Sequence, residues 1–238
     1  MWVVSITILF LGASSVARAA PICACARGRD RLSSVDEQYF TDSSPASAEE
    51  IRTIEVSARG FDLSMCVSSR VFSGSKLDLG TRQLLEIAPD LPEGGTFLDL
   101  GCGWGPIATI MSLESPSAAV WAVDVNSRAV DLTQRNAQSN GANGVRALKA
   151  EEALAASQES DTRFDVIWSN PPVRIGKDAM HEMLLAWLGR LAPTGVAYLV
   201  VQRNLGADSL ITWLNGQGFQ ASKYASKKGF RIIEVRPA

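Results

Sequence analysis

TFLDLGCGWGP, residues Thr96 to Pro106, is a run of extended-chain formers that stops abruptly at glycine. Phe97, Leu98 and Leu100 supply the apolar run, and Gly101, Gly103 and Gly105 follow in alternation before an apolar helical pattern begins near Ile107. The order is strand, tight loop, helix. Glycine opens backbone angles closed to other residues and lets a ligand approach the main chain, and Pro106 suits a first helical turn whose N–H would have no partner. The stretch predicts a ligand crevice at the end of a strand.

Glycine-rich turns after a strand also serve dinucleotides, whose fingerprint needs its last glycine where helix and sheet meet. Here that position is Pro106. The next apolar run, AAVWAV, ends at Asp124, about 20 residues on, where an acidic side chain reaches ribose hydroxyls. A ribose is expected, and a pyrophosphate is not. The DxGxGxG form of the loop resembles that of the class I methyltransferases. The resemblance implies S-adenosyl-L-methionine as cofactor, with Asp99, Gly101, Cys102, Gly103, Gly105 and Asp124 around it.

The chain has 238 residues, 46% hydrophobic and 20% charged, which suits one good-sized core. A net charge of −2 gives no global attraction to phosphate backbones, so a nucleic-acid partner must be met by a local basic patch. Cys23, Cys25, Cys66 and Cys102 are too scattered for a disulfide framework, and no Cys/His spacing matches zinc. No metal is expected.

Residues 1–38 are expected to stand apart. WVVSITILFLGA followed by Ala17-Arg18-Ala19 resembles a signal peptide without its basic start, and the run is too short for a confident membrane span. A mis-assigned start, with the functional protein beginning nearer Ser33, accounts for both this leader and the unpatterned PICACARGRD; export is the alternative. A cytoplasmic protein without a membrane partner is expected. Residues 39–92 read as a hairpin turning at Arg59-Gly60, a loop VFSGSKLDLG and a helix TRQLLEIA closed by Pro89 and Pro92, packed beside the core. Phe72 and Asp78 in that loop read either as the cofactor or substrate entrance, or as a core residue and a helix cap.

Residues 93–238 form the main domain. After the glycine loop comes a helix capped by Asn126 or Ser127 and ending at Asn140-Gly141, then the strand VRALKA. Glu151 just beyond it is either an adenine contact or a favourable charge in a helix's first turn. Strand FDVIWSN, a helix over 177–191, strand GVAYLVV, a helix over 207–215 and strands FQASKYA and FRIIEVR complete the chain. The alternation predicts an α/β doubly wound, Rossmann-like sheet with an antiparallel last strand.

The fourth strand of that sheet runs into Ser169-Asn170-Pro171-Pro172-Val173. Ligands bind outside the carboxyl ends of strands near the switch point of such a sheet, so this loop should face the glycines. Two prolines remove two donors, and the Asn170 side-chain oxygen and Pro171 carbonyl can then accept hydrogens from one amino group. That arrangement aims a nitrogen lone pair at an electrophile.

VFSGSKLDLGTRQLLE, FLDLGCGWG and FDVIWSNPPVRIGK in this order resemble the small methyltransferase domain family, which contains the RsmC-like enzymes that methylate a guanine amino group of small-subunit ribosomal RNA. The likeness runs from about Tyr39 to the C-terminus; larger members carry a further degenerate copy of the domain. It implies catalytic Asn170, Pro171 and Pro172, and a ribosomal RNA or small-subunit partner. The family's motif usually ends in an aromatic residue that stacks on the base, and here that position is Val173. Arg174 either stacks through its guanidinium plane, holds a phosphate, or is a solvated loop charge. Lys177, Arg203, Lys227, Lys228 and Arg231 are candidates for a backbone-binding rim, with an ordinary charged surface as the alternative. His181 is expected to be structural, and Cys102 a small loop residue. Adenine amino groups and protein glutamine amides present the same planar NH2, and an idle cofactor-binding module in ribosome assembly is a further alternative.

Overall fold

The computed structural model describes residues 46–69 and 71–238, so the expected leader over residues 1–38 lies outside them. The described residues open with a two-stranded antiparallel hairpin, β1 (Ile51–Ala58) and β2 (Phe61–Ser68), after one 3-10 turn, and a helix α1 (Leu79–Ile87) follows. Five strands alternating with four helices follow: β3 (Thr96–Leu100), α2 (Pro106–Glu114), β4 (Ala119–Asp124), α3 (Ser127–Ser139), β5 (Val145–Lys149), α4 (Ala150–Glu159), β6 (Phe164–Ser169), α5 (Lys177–Leu188) and β7 (Leu191–Gln202). Helix α6 (Ala207–Gly216) and strands β8 (Gln220–Lys227) and β9 (Phe230–Arg236) end it.

The seven-stranded sheet has the order β5-β4-β3-β6-β7-β9-β8. The first five of these pair in parallel, and β9 runs antiparallel between β7 and β8. A sheet covered by helices on both faces must bury both sides of each strand, which is why β3, β6 and β7 read as nearly unbroken apolar runs. Phe97, Trp168, Tyr198 and Val200 pack with the hairpin and α1–α3 on one face. Leu98, Ile167, Leu199 and Val201 pack with α4–α6 on the other. Strand β7 starts at Leu191, not at Gly195, because the first residue pairs back onto Phe164 across a bulge. The preceding helix therefore stops at Leu188.

The hairpin docks on α3 through two asparagines one turn apart. Asn136 Oδ1 accepts from the Cys66 N–H at 2.7 Å, and its Nδ2 donates to the Cys66 carbonyl at 2.8 Å and to the Trp104 carbonyl at 2.7 Å. Asn140 repeats the pattern on Ser64 at 3.1 and 3.0 Å. A carboxamide carries the same donor and acceptor as a peptide, so the two side chains satisfy β2 as a neighbouring strand would. At the hairpin tip, Arg59 (φ 51°) pairs with Glu114 through two nitrogens and donates to the Leu85, Ala88 and Pro89 carbonyls. It thereby closes the C-terminal ends of α1 and α2 together. Arg128, buried in α3, reaches Glu50 at 3.0 Å and Ser68 Oγ at 3.1 Å, and this pairing holds the Glu50 carboxyl down to about 2.

Candidate active site

The sheet changes direction between β3 and β6, whose last residues Leu100 and Ser169 sit opposite one another. The Ser169 hydroxyl donates to the Leu100 carbonyl at 2.7 Å, tying the two strand ends. The glycine loop and the Asn-Pro-Pro loop consequently leave the sheet side by side. A cavity of about 350 Å³ lies over them, large enough for a cofactor-sized ligand.

The glycine loop is braced from three sides. Gly101 and Cys102 N–H groups both donate to the Val123 carbonyl, at 2.9 and 3.0 Å. Asp124 Oδ2 accepts from the Gly103 N–H at 3.0 Å, and its Oδ1 accepts from the Asn126 N–H at 2.9 Å. Below the loop, Asp99 Oδ2 accepts from the Ala108 N–H at 2.9 Å, while its Oδ1 is buried with no partner. Burial raises the Asp99 carboxyl to about 8 and also pushes up Asp124. Gly101 (φ 77°) and Gly103 (φ 58°) line the cavity, and a Cβ on either would stand in open space. Their positive φ suits glycine, and their bare backbone leaves room for a ligand against the main chain.

Of the residues expected around the cofactor, Gly101, Cys102, Gly103 and Asp124 line this cavity. Asp99 and Gly105 support it from beneath: a Cβ on Gly105 would meet Thr133 at 2.8 Å. Glu151 does not reach the wall. Strand β5 ends at Lys149, so Ala150 faces the cavity and Glu151 lies exposed in the first turn of α4. Trp104 and Asp78 also line the cavity. Trp104 carried no signal beyond its place in the loop. The Cys102 thiol is raised by burial and then by the nearby Asp124 and Asp99 carboxylates, which suits a packing residue and not a nucleophile.

A second cavity, of about 270 Å³, adjoins the first. Phe72, Asp78, Asn170 and Pro172 belong to the walls of both, and Pro171, Val173 and Arg174 to the second alone. Phe72 is 42% exposed, so it is not a core residue. Asp78 is a helix cap on the wall of both cavities: its Oδ2 caps α1 by accepting from the Thr81 N–H at 3.1 Å, and also accepts from Asn170 Nδ2 at 2.8 Å. Thr81 Oγ1 accepts a further Nδ2 contact at 3.1 Å. A carboxylate can only accept, so the Asn170 NH2 must face it, and both amide hydrogens are engaged. Asn170 Oδ1 remains as the acceptor of a side chain that lines both cavities.

Three sequence expectations change here. The Pro171 carbonyl is not wholly free: it accepts from the Val173 N–H at 2.9 Å, because a 3-10 turn over Val173–Ile175 folds back on it. Lys177 is exposed at the start of α5 and lies on neither cavity wall. The basic rim is partly neutralised, since Lys227 pairs with Glu86 at 2.9 Å and Arg231 is bidentate to Asp208 at 2.6 and 3.0 Å. His181 stacks on Trp213 with ring centroids 3.5 Å apart, and burial lowers its pKa. Among the described residues, no cluster of His, Cys, Asp or Glu could hold a metal, and no helix is long and apolar enough to cross a membrane.

The family model described as methyltransferase small domain matches residues 62–234, which spans the hairpin's second strand, both loops and the whole sheet. The chain belongs to the methyltransferase small domain family. It is an S-adenosylmethionine-dependent methyltransferase of that type. The methyltransferase is 30% identical over 202 residues to the uncharacterised protein YbxB of Bacillus subtilis, covering 85% of this chain and 99% of that one. It is 36% identical over 121 residues to ribosomal RNA small subunit methyltransferase C of Vibrio parahaemolyticus, covering 50% of this chain but only 33% of that enzyme. The fold matches the Thermus thermophilus 16S rRNA N2 G1207 methyltransferase RsmC, in complex with AdoMet and guanosine, at a TM-score of 0.65 and 22% identity over 82% of this chain and 52% of that one. The methyltransferase thus spans about half or less of the RsmC chains it matches.

Proposed function

We propose that the chain transfers a methyl group from S-adenosylmethionine to the exocyclic amino group of a guanine in small-subunit ribosomal RNA. The observation that carries the proposal is the locked amide of Asn170, a residue on the walls of both cavities, whose NH2 is engaged by Asp78 and Thr81 so that Oδ1 is left as its acceptor. Asp124 would receive the cofactor's ribose, and Gly101 and Gly103 would lie against the cofactor; the clearance over both glycines supports the fit. When bound, the cofactor supplies an electrophilic methyl group on a sulfonium.

The chain's own residues position the acceptor. Asn170 Oδ1 accepts one amino hydrogen, and the second lone pair of the Pro171 carbonyl is available for the other. The nitrogen lone pair is then directed out of that plane, and positioning of this kind replaces a strong base. The surplus proton leaves the nitrogen after the transfer, so His181, stacked away on Trp213, has no part in it. The names of the RsmC relatives support ribosomal RNA as the acceptor. A cytoplasmic location follows from this reading, because cofactor and ribosomes meet there.

The test offers labelled S-adenosylmethionine with under-methylated small ribosomal subunits, their naked RNA, and a release-factor protein carrying a glutamine acceptor. Nucleoside and peptide mass spectrometry identify the product. Methylguanosine, lost in Asn170→Ala while cofactor affinity persists, is the expected outcome. Label only in adenosine or in the protein would move the acceptor assignment, and cofactor binding without any transfer would favour the idle module.

A further inference from the structure

We infer that Phe230, at the start of β9, supplies the aromatic surface on which the acceptor base stacks, with Phe72 of the loop before α1 lining the same cavity, replacing the aromatic residue that position 173 lacks. The inference rests on the proposed base methylation and names residues that it does not require.

Both rings line the second cavity together with Asn170 and Gln202. Phe230 is held firmly. It pairs in register with Gln202 of β7 and Lys227 of β8, and the Gly229 carbonyl just before it accepts from the Arg203 N–H at 2.8 Å. Its ring also lies close to the amide. A Cβ built on Gly80 would stand 3.1 Å from Phe230 Cε1 and 3.4 Å from Asn170 Nδ2, so ring edge and amide meet the same point of α1. The missing Cβ at Gly80 leaves room for the ring edge and for Asp78 Oδ2, which a Cβ would meet at 2.9 Å.

Phe72 is only partly covered, at 42% exposure, and Leu205 beside the same cavity is 46% exposed. An apolar ring beside a cavity is covered by a planar ligand at no cost in polar desolvation. Gln202 adds one donor group and one acceptor to the wall, which suits the polar edge of a base. A glutamine side-chain amide, the other planar NH2 acceptor, has no ring to place against Phe230. The slot therefore favours a nucleobase.

The test separates stacking from packing, because Phe230 also touches the core. Phe230→Leu keeps the bulk and removes the π face, and Phe230→Tyr keeps both. With the full chain and S-adenosylhomocysteine present, binding of free guanosine is followed by saturation-transfer NMR. Methyl transfer to small-subunit RNA is measured in parallel. Phe230→Leu and Phe72→Ala should each weaken guanosine binding and raise the RNA KM by about tenfold or more. Phe230→Tyr should restore both, and S-adenosylhomocysteine affinity should be unchanged in the two Phe230 variants, because Phe230 lines only the second cavity. RNA methylation with unaltered guanosine binding and KM in Phe230→Leu would overturn the slot and leave the proposed function standing. Transfer by the wild-type chain to a glutamine protein and to no RNA would overturn both.

Discussion

Asp78 stands at one oxygen between fold and chemistry, and replacing it separates the two. Its Oδ2 caps α1 and also anchors the Asn170 amide. Asp78→Ala loses a cap of about 1 kcal/mol and a hydrogen bond to a charged acceptor of about 1.5–3 kcal/mol. Because the Asn170 contact lies on a half-buried wall and not deep in the core, roughly 2–3 kcal/mol in all is expected. For a domain of this size that lowers the melting temperature by about 5–10 °C. The released amide can then turn its NH2 toward the substrate, and a misdirected acceptor costs on the order of a hundredfold in kcat. Asp78→Asn retains a cap and an acceptor oxygen but loses the charge, so it should cost less than about 1 kcal/mol and roughly tenfold in kcat. Calorimetric melting, steady-state methyl transfer and the side-chain amide resonances of Asn170 measure the three effects. An Asp78→Ala protein that melts early yet turns over at the wild-type rate would refute the anchoring role and leave Asp78 a helix cap.

Other outcomes follow from the same geometry. Asp124→Ala should weaken S-adenosylmethionine binding at least tenfold by calorimetry, since Asp124 faces the cavity and holds the Gly103 N–H; unchanged affinity would remove it from the ribose role. Asp99 has a folded pKa of about 8 against an ordinary 3.8, so the folded state holds its proton longer than the unfolded chain does. Its contribution to stability is full below 3.8 and declines as pH rises toward 8, and Asp99→Asn should flatten that part of the melting-temperature profile. Arg59→Ala strands the largely buried Glu114 and opens the ends of two helices, which should cost on the order of 3–5 kcal/mol in denaturant titration. A loss below 1 kcal/mol would mean that the hairpin is held by α3 alone.

Much of the fold is legible along the chain because its signals are local. The glycine loop, the Pro106 helix start, the Asn126 cap and the alternation of apolar runs with helical stretches depend on neighbours within a few residues. The doubly wound order then puts the ends of β3 and β6 together, which is why the sequence alone aims the Asn-Pro-Pro loop at the glycines. The same local logic ran out at Glu151. Whether it or Ala150 faces the cavity turns on where β5 ends and α4 begins, and one residue along a helix turns the side chain by about 100°.

By itself, then, the sequence determines the sheet, the glycine loop and the Asn-Pro-Pro loop, since each is written in residue type and spacing. Tertiary structure alone decides what holds the Asn-Pro-Pro loop. Asp78 and Asn170 are 92 positions apart. Arg59 meets Glu114 across 55 positions, and Phe230 reaches the Asn170 wall only because β9 inserts beside β7. No periodicity encodes such contacts, because they arise when distant segments compete to bury the same apolar surface and must satisfy the polar groups that burial encloses.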